Sequence, residues 1–125
     1  MIIKNHRSFI CGVKGKVLSK KEIEFLKKYK PWGIILFKLN IGSIKQTINL
    51  TNSIKKIFNN KNYPIMVDEE GGRVSRLRKF IDNSIFTAEY FGNLYKKNIN
   101  KFDIYYSVYV KQISYLLRLL GININ

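Results

Sequence analysis

Three short apolar runs, at residues 8–13, 33–37 and 65–67, alternate with two amphipathic segments, and this alternation restricts the fold more than any other feature of the chain. The second run, Gly33-Ile-Ile-Leu-Phe37, is continuously apolar. A strand covered on both faces needs that pattern, and covered faces are the habit of parallel sheets. The segment before it opens with Ser19-Lys-Lys-Glu22 and the segment after it with Ser43-Ile-Lys-Gln46. In each, the serine hydroxyl can accept from the N3 amide while the N3 side chain reaches back to the cap amide, so each reads as a capping box that starts a helix. Strand, helix, strand, helix, strand, with a period of about 25 to 30 residues, is the βαβ rhythm.

The elements have legible faces and ends. Gly15 breaks the first strand. The first helix is expected to run to about Lys30, with Ile23, Leu26 and Tyr29 inward, and Pro31 to stop it. The second, residues 43–58, places Ile44, Ile48, Thr51, Ile54 and Phe58 on one side, and the Asn59-Asn60-Lys61-Asn62 cluster ends it. Residues 38–42 form a short loop, and Pro64 is acceptable where the third strand begins. Residues 68–86 form a long irregular excursion, of the kind that in a compact domain usually carries function. A short helix is expected after Thr87. A long one follows over residues 101–120, with Ile104, Val108, Ile113, Leu116, Leu117 and Leu120 as its buried stripe and Gly121 as the C′ residue. Its tyrosines, Tyr105, Tyr106, Tyr109 and Tyr115, read as amphipathic packing and not as a stacking platform for bases. Residues 122–125 open a fourth strand.

Composition bounds the function. With 125 residues, 46% hydrophobic and 25% charged, the chain is one folded domain, residues 1–125, and not a disordered tail. No apolar run reaches the roughly 18 residues a membrane span needs, and the first dozen residues lack a signal-peptide pattern, so a cytoplasmic, membrane-free protein is expected. Cys11, the single cysteine, has no intramolecular partner and reads as a buried reduced thiol. His6 is the single histidine, and one Cys with one His makes no ordinary zinc site. A nucleophile pair formed by these two has no motif behind it. The net charge of +15 would draw phosphate polyanions if it were focused on one face. The lysines are instead spread along the chain, outnumber the arginines and come with abundant Ile and Asn, as a solvated surface would. No specific nucleic acid is expected, and the runner-up reading is a basic α/β module that binds RNA.

The third run breaks into Asp68-Glu69-Glu70-Gly71-Gly72-Arg73-Val74-Ser75-Arg76, which gathers three of the eight acids in the chain. Loops leaving the carboxyl ends of parallel strands are where α/β folds bind ligands. There Asp68 could accept two hydrogen bonds from vicinal sugar hydroxyls. Gly71 and Gly72 permit positive φ and close approach of the backbone, and Arg73 and Arg76 offer planar forks for oxygen ligands. The bland alternative is a salt-bridged turn in which Glu69, Glu70 and the arginines neutralise one another. A magnesium site for phosphoryl transfer fits poorly. Three adjacent acids on one extended segment do not converge, and no phosphate-cradling glycine loop runs from a strand into a helix. No metal and no cofactor are expected.

Gly33-Ile-Ile-Leu-Phe37-x-x-Asn40, followed after some 25 residues by Val67-Asp-Glu-Glu-Gly-Gly-Arg-Val-x-Arg76, resembles the amino-terminal part of glycoside hydrolase family 3, most of all its bacterial β-N-acetylhexosaminidases. Val13-Lys-Gly-Lys-Val-Leu-Ser-Lys-Lys-Glu22 is similar to the opening segment of that family, and Gly121-Ile-Asn-Ile-Asn125 to its Gly-Ile-Asn/Asp-x-Asn/Asp strand. The resemblance implies the first half of a (β/α)8 TIM-type barrel, about four parallel strands with covering helices, since a full barrel takes about 200 to 250 residues. It implies an enzyme that removes terminal β-linked N-acetylglucosamine from cell-wall fragments of the muropeptide type by a retaining mechanism with two carboxyl-assisted steps. Asp68 and Arg76 inherit substrate binding, and Glu70, Gly71, Gly72 and Arg73 a supporting shell. No catalytic residue is inherited, because the nucleophile and acid/base of the family fall outside the matching segments and His6 stands far from them. The isolated chain is therefore expected to be inactive, and its partners to be a carbohydrate and the carboxyl-terminal half of the barrel. Two local departures are Glu69, where the family commonly has glutamine or histidine, and the segment 86–92, which lacks the prolines often seen there.

Overall fold

The computed structural model describes residues 7–125, so His6 and any part for it lie outside the described residues. The elements are β1 (Arg7–Gly12), α1 (Lys20–Tyr29), β2 (Pro31–Leu36), α2 (Ile44–Ile57), β3 (Ile65–Val67), α3 (Ala88–Lys97) and α4 (Ile99–Leu119), with a 3-10 turn at Lys38–Asn40. None of the described helices is long and apolar enough to cross a membrane.

Both serine caps form, with one difference. The Ser19 hydroxyl accepts from the Glu22 amide at 3.3 Å and the Glu22 carboxylate accepts from Ser19 N at 2.8 Å, completing the box. The same carboxylate also accepts from Lys14 N at 2.7 Å, which ties the start of α1 to the loop after β1. At α2, Ser43 Oγ accepts from Gln46 N at 3.2 Å, but the Gln46 side chain does not return to the cap. It accepts from Gly42 N at 2.8 Å and donates to Lys16 O and Asn40 O at 2.8 and 3.0 Å. Asn40, fully buried, donates to Val13 O and Gly15 O and accepts from Phe37 N. Buried loop backbone needs partners, and these two side chains supply them between the β1–α1 and β2–α2 connections.

The strands form one parallel sheet in the order β1-β2-β3. Side chains of paired residues in a parallel ladder share a face. Cys11, Ile34, Leu36, Ile65 and Val67 therefore point one way, into the core shared with Leu26, Leu50, Ile54, Ile113, Leu117 and Leu120 of the helices. Ile10, Gly12, Gly33, Ile35 and Met66 point the other way and lie outside that core cluster, Ile10 being 48% exposed and Met66 buried. Cys11 is half-buried against the core and not fully enclosed, and burial raises its thiol pKa.

Two further expectations need correction. On α2, Ile44 is exposed, and Thr47 and Leu50 join Thr51 and Ile54 in the buried set. On α4, Ile104 and Val108 are exposed. Ile113, Leu116, Leu117 and Leu120 pack inward as expected, but over the first half of the helix the inward residues are Phe102 and Tyr109, because α3 lays Phe91 against Tyr109, and against the half-exposed Tyr106, at ring separations of 5.1 and 5.0 Å. Aromatic rings bury more area than aliphatic side chains, and that area fixes the rotation of the helix. Residues 122–125 do open a parallel pairing beside β3: Ile124 bridges Met66, Val67 N donates to Ile124 O at 3.2 Å and Ile124 N to Ile65 O at 3.2 Å. Asparagine side chains reinforce it: Asn123 Oδ1 accepts from Ile65 N at 2.9 Å, and Asn125 both accepts from Glu69 N and donates to Glu69 O.

Candidate functional site

The polar segment after β3 continues the strand alternation for two residues before it turns. Met66 and Asp68 fall on the side away from the core cluster and Val67 and Glu69 on the core side, so Glu69 is 5% exposed. Glu70 N then donates to Val74 O at 3.0 Å across a tight turn, with Gly71 and Val74 forming an antiparallel bridge. Gly71 and Gly72 take φ of +77° and +60°. A Cβ on Gly71 would also stand 2.5 Å from Phe86 O and 2.7 Å from the Tyr109 hydroxyl, so both conformation and space demand glycine there. Arg73 and Glu70 are exposed on this turn.

Among the described residues one ion pair joins the acids and arginines of this segment, Asp68 Oδ2 with Arg76 Nη2 at 3.9 Å, the side chains being 52% and 22% exposed. The salt-bridged turn is therefore not what forms. Glu69 meets no cation. Its Oε2 accepts from Arg76 N at 2.6 Å and Leu77 N at 3.0 Å, and its Oε1 from Asn83 Nδ2 at 2.7 Å. The three acids diverge, and no group of three His, Cys, Asp or Glu able to hold a metal arises among the described residues. Asp68 has acceptor capacity open to solvent beside a guanidinium that only grazes it, a pairing able to take up a neutral polyol: the carboxylate accepts from hydroxyls and the guanidinium donates to them.

Of the residues singled out in the sequence, Asp68 and Arg76 are brought together, Gly71 and Gly72 make the turn, and Glu70 and Arg73 lie at its outside. Several structural partners had escaped notice. Arg78 Nη2 donates to Gly72 O at 2.9 Å, Asn83 O accepts from Gly72 N at 3.3 Å, and Asn125 clamps the backbone of Glu69 on both sides. Tyr109 reaches the loop from α4. Its hydroxyl lies over Gly71, and burial raises its pKa. For Glu69 the signal was present, since a period of two from Ile65 and Val67 points it inward. Asn125 lies in the Gly121-Ile-Asn-Ile-Asn125 match, which marks the residue but not its clamp on Glu69, and Asn83 carries no signal, because a polar residue in a loop is ordinarily solvated.

The fold and this segment define a parallel α/β protein with a carboxylate–guanidinium site at the carboxyl end of its third strand. No protein-family model matches the chain. β-Hexosaminidase A of Pseudoalteromonas piscicida is 32% identical over 119 residues, 92% of this chain and 19% of that protein. NagZ from Neisseria gonorrhoeae, solved in complex with zinc ion, superimposes with a TM-score of 0.59 at 28% identity over 74% of this chain and 27% of its own. The same protein in complex with N-trifluoroacetyl-D-glucosamine gives a TM-score of 0.52 at 33% identity over 57% and 21%. The chain is a β-hexosaminidase-related domain. It spans about a fifth of the length of the curated relatives it matches.

Proposed function

We propose that residues 1–125 are the partial amino-terminal domain of a glycoside hydrolase of family 3, the first half of a (β/α)8 barrel, and that the whole enzyme removes terminal β-linked N-acetylglucosamine from muropeptide-type fragments in the cytoplasm by a retaining mechanism. The observation that carries the reading is the open Asp68–Arg76 pair at the end of β3, in a chain related to hexosaminidases over nearly its whole length. Asp68 accepts from sugar hydroxyls, Arg76 donates to the same ring, and Glu70, Gly71, Gly72 and Arg73 shape the loop. The sheet supports the barrel part of the reading. Sequential strands lie side by side in parallel and a fourth segment bridges the edge of β3, as successive strands of a barrel do. The catalytic pair and the remaining strands would come from a carboxyl-terminal half.

Two measurements test this. Titrating the labelled chain with N-acetylglucosamine should shift resonances of residues 68–76, and absence of any shift there sinks the sugar-site reading. An aryl N-acetyl-β-glucosaminide should not be hydrolysed by the purified chain, and hydrolysis would refute the assignment of the catalytic pair elsewhere. One feature favours the alternative of a basic RNA-binding module: Lys55, Lys56 and Lys61 surround a hollow of about 530 Å³ with Asn52, Asn59 and Asn60. That reading requires retention on a polyanion column to fall steeply with salt and to weaken on substituting these three lysines.

A further inference from the structure

We propose that Glu69 is a positioning residue that, through Asn83 and Tyr109, ties the spacing of Asp68 and Arg76 to the packing of α4. The inference rests on the reading of Asp68 and Arg76 as sugar ligands and adds what holds them apart at a useful distance. Asp68 is the residue before Glu69, and Arg76 is anchored by its own amide to Glu69 Oε2 at 2.6 Å. One buried carboxylate thus fixes the roots of both side chains across seven intervening residues. Its own backbone is clamped by Asn125, at 2.8 Å on the amide and 3.0 Å on the carbonyl.

The other carboxylate oxygen leads to α4. Asn83 is fully buried, donates to Glu69 Oε1, and leaves its Oδ1 without a hydrogen-bond partner among the described residues. The Tyr109 hydroxyl covers Gly71 so closely that a Cβ there would stand 2.7 Å away, and the next residue, Gly72, donates its amide to Asn83 O at 3.3 Å. Tyr109 is fixed in turn by Phe86 and Phe91, at ring separations of 5.4 and 5.1 Å. Movement of α4 therefore reaches the sugar pair through Tyr109, the glycine turn, Asn83 and Glu69 in that order. This explains how an aspartate-to-arginine spacing can be held by a loop of irregular backbone with no ion pair at its centre.

Glutamine is the informative substitution. Its amide oxygen can accept from the Arg76 and Leu77 amides as Oε2 does now. Its amide nitrogen would meet Asn83, which by turning over would offer Oδ1 as the acceptor. Glu69→Gln should therefore rescue what Glu69→Ala loses. In the 125-residue chain, Glu69→Ala is expected to speed amide exchange at Arg76 and Leu77 by about tenfold or more relative to β2. It should weaken N-acetylglucosamine binding in parallel, with Glu69→Gln near wild type on both readouts. Tyr109→Phe, which removes one hydroxyl, should raise exchange at the same two amides by a smaller factor while β2 stays protected. Unchanged exchange at Arg76 and Leu77 in Glu69→Ala, or failure of glutamine to rescue with the sheet intact, overturns the proposal. If Glu69→Ala does not fold, Tyr109→Phe decides: unchanged exchange at the two amides overturns it. A wild-type chain that gives no shift with N-acetylglucosamine refutes the sugar reading instead, and the exchange data still decide the positioning role.

Discussion

Asp68 and Glu69 are neighbours in sequence and opposites in environment, the first solvent-facing beside Arg76 and the second buried among amides. Removing the charge of Asp68 should therefore barely touch stability. Asp68→Asn is expected to change the urea-derived free energy by less than about 0.5 kcal/mol, since exposed pairs contribute little. It should nonetheless abolish the N-acetylglucosamine shifts at residues 68–76. Tyr63 is the contrasting case: it is fully buried, its hydroxyl donates to Pro31 O at 2.6 Å, and its ring stacks on Phe58 at 3.9 Å. Burial raises its pKa well above the ordinary value, so the hydroxyl stays protonated. Tyr63→Phe leaves a buried carbonyl short of a donor and should cost about 1 to 2 kcal/mol by urea unfolding. Asp68 and the two glycines were legible in the sequence because their chemistry is local. Glu69 was read as a charge beside Asp68, when its effect comes from the donors the distant loop wraps around it.

The helix starts were the most legible elements, since a capping box is closed within four residues. Burial pushes the Glu22 carboxyl up, but hydrogen bonds from Lys14 and Ser19 outweigh it, and the net pKa is lowered from the ordinary 4.5. A carboxyl with a depressed folded pKa contributes stability that is fully present above its unfolded value and is lost as pH falls through the folded one. Exchange protection in the first turn of α1 should accordingly fall as pH drops below about 4.5, and Glu22→Gln should flatten that pH dependence; an unchanged profile in the variant would contradict the assignment. At the far end of α4, Gly121 has φ of +78° and a Cβ there would stand 2.5 Å from Thr51 Oγ1, which itself donates to Leu120 O at 2.8 Å. Gly121→Ala should cost about 1 to 3 kcal/mol, measured by urea denaturation. The placing of this glycine was legible. The face buried by the first half of α4 was not, because that half offers aliphatic and aromatic candidates, and the docking of α3 chooses the aromatic ones.

For the molecule as a whole, one face of the sheet feeds the core cluster and the other carries the half-exposed Ile10, and positions on the two should respond unequally to an introduced charge. Ile34→Lys places an ammonium in the core and should prevent folding, whereas Ile10→Lys, at a half-exposed position on the other face, should alter stability by about 0.5 kcal/mol or less. Circular dichroism with urea titration distinguishes them, and equal damage from both would show that the core lies elsewhere. The sequence by itself determined the parallel βαβ order, the capped helix starts and the glycine turn after β3, because apolar periodicity, caps and positive-φ glycines act over a few residues. Tertiary structure alone decided which face the first half of α4 buries, the asparagine clamps beside the Ile124 pairing, and the burial of Glu69 among the backbone amides of residues 76 and 77 and the Asn83 side chain. Those outcomes depend on which surfaces and donors meet across long stretches of chain, and no local pattern records that meeting.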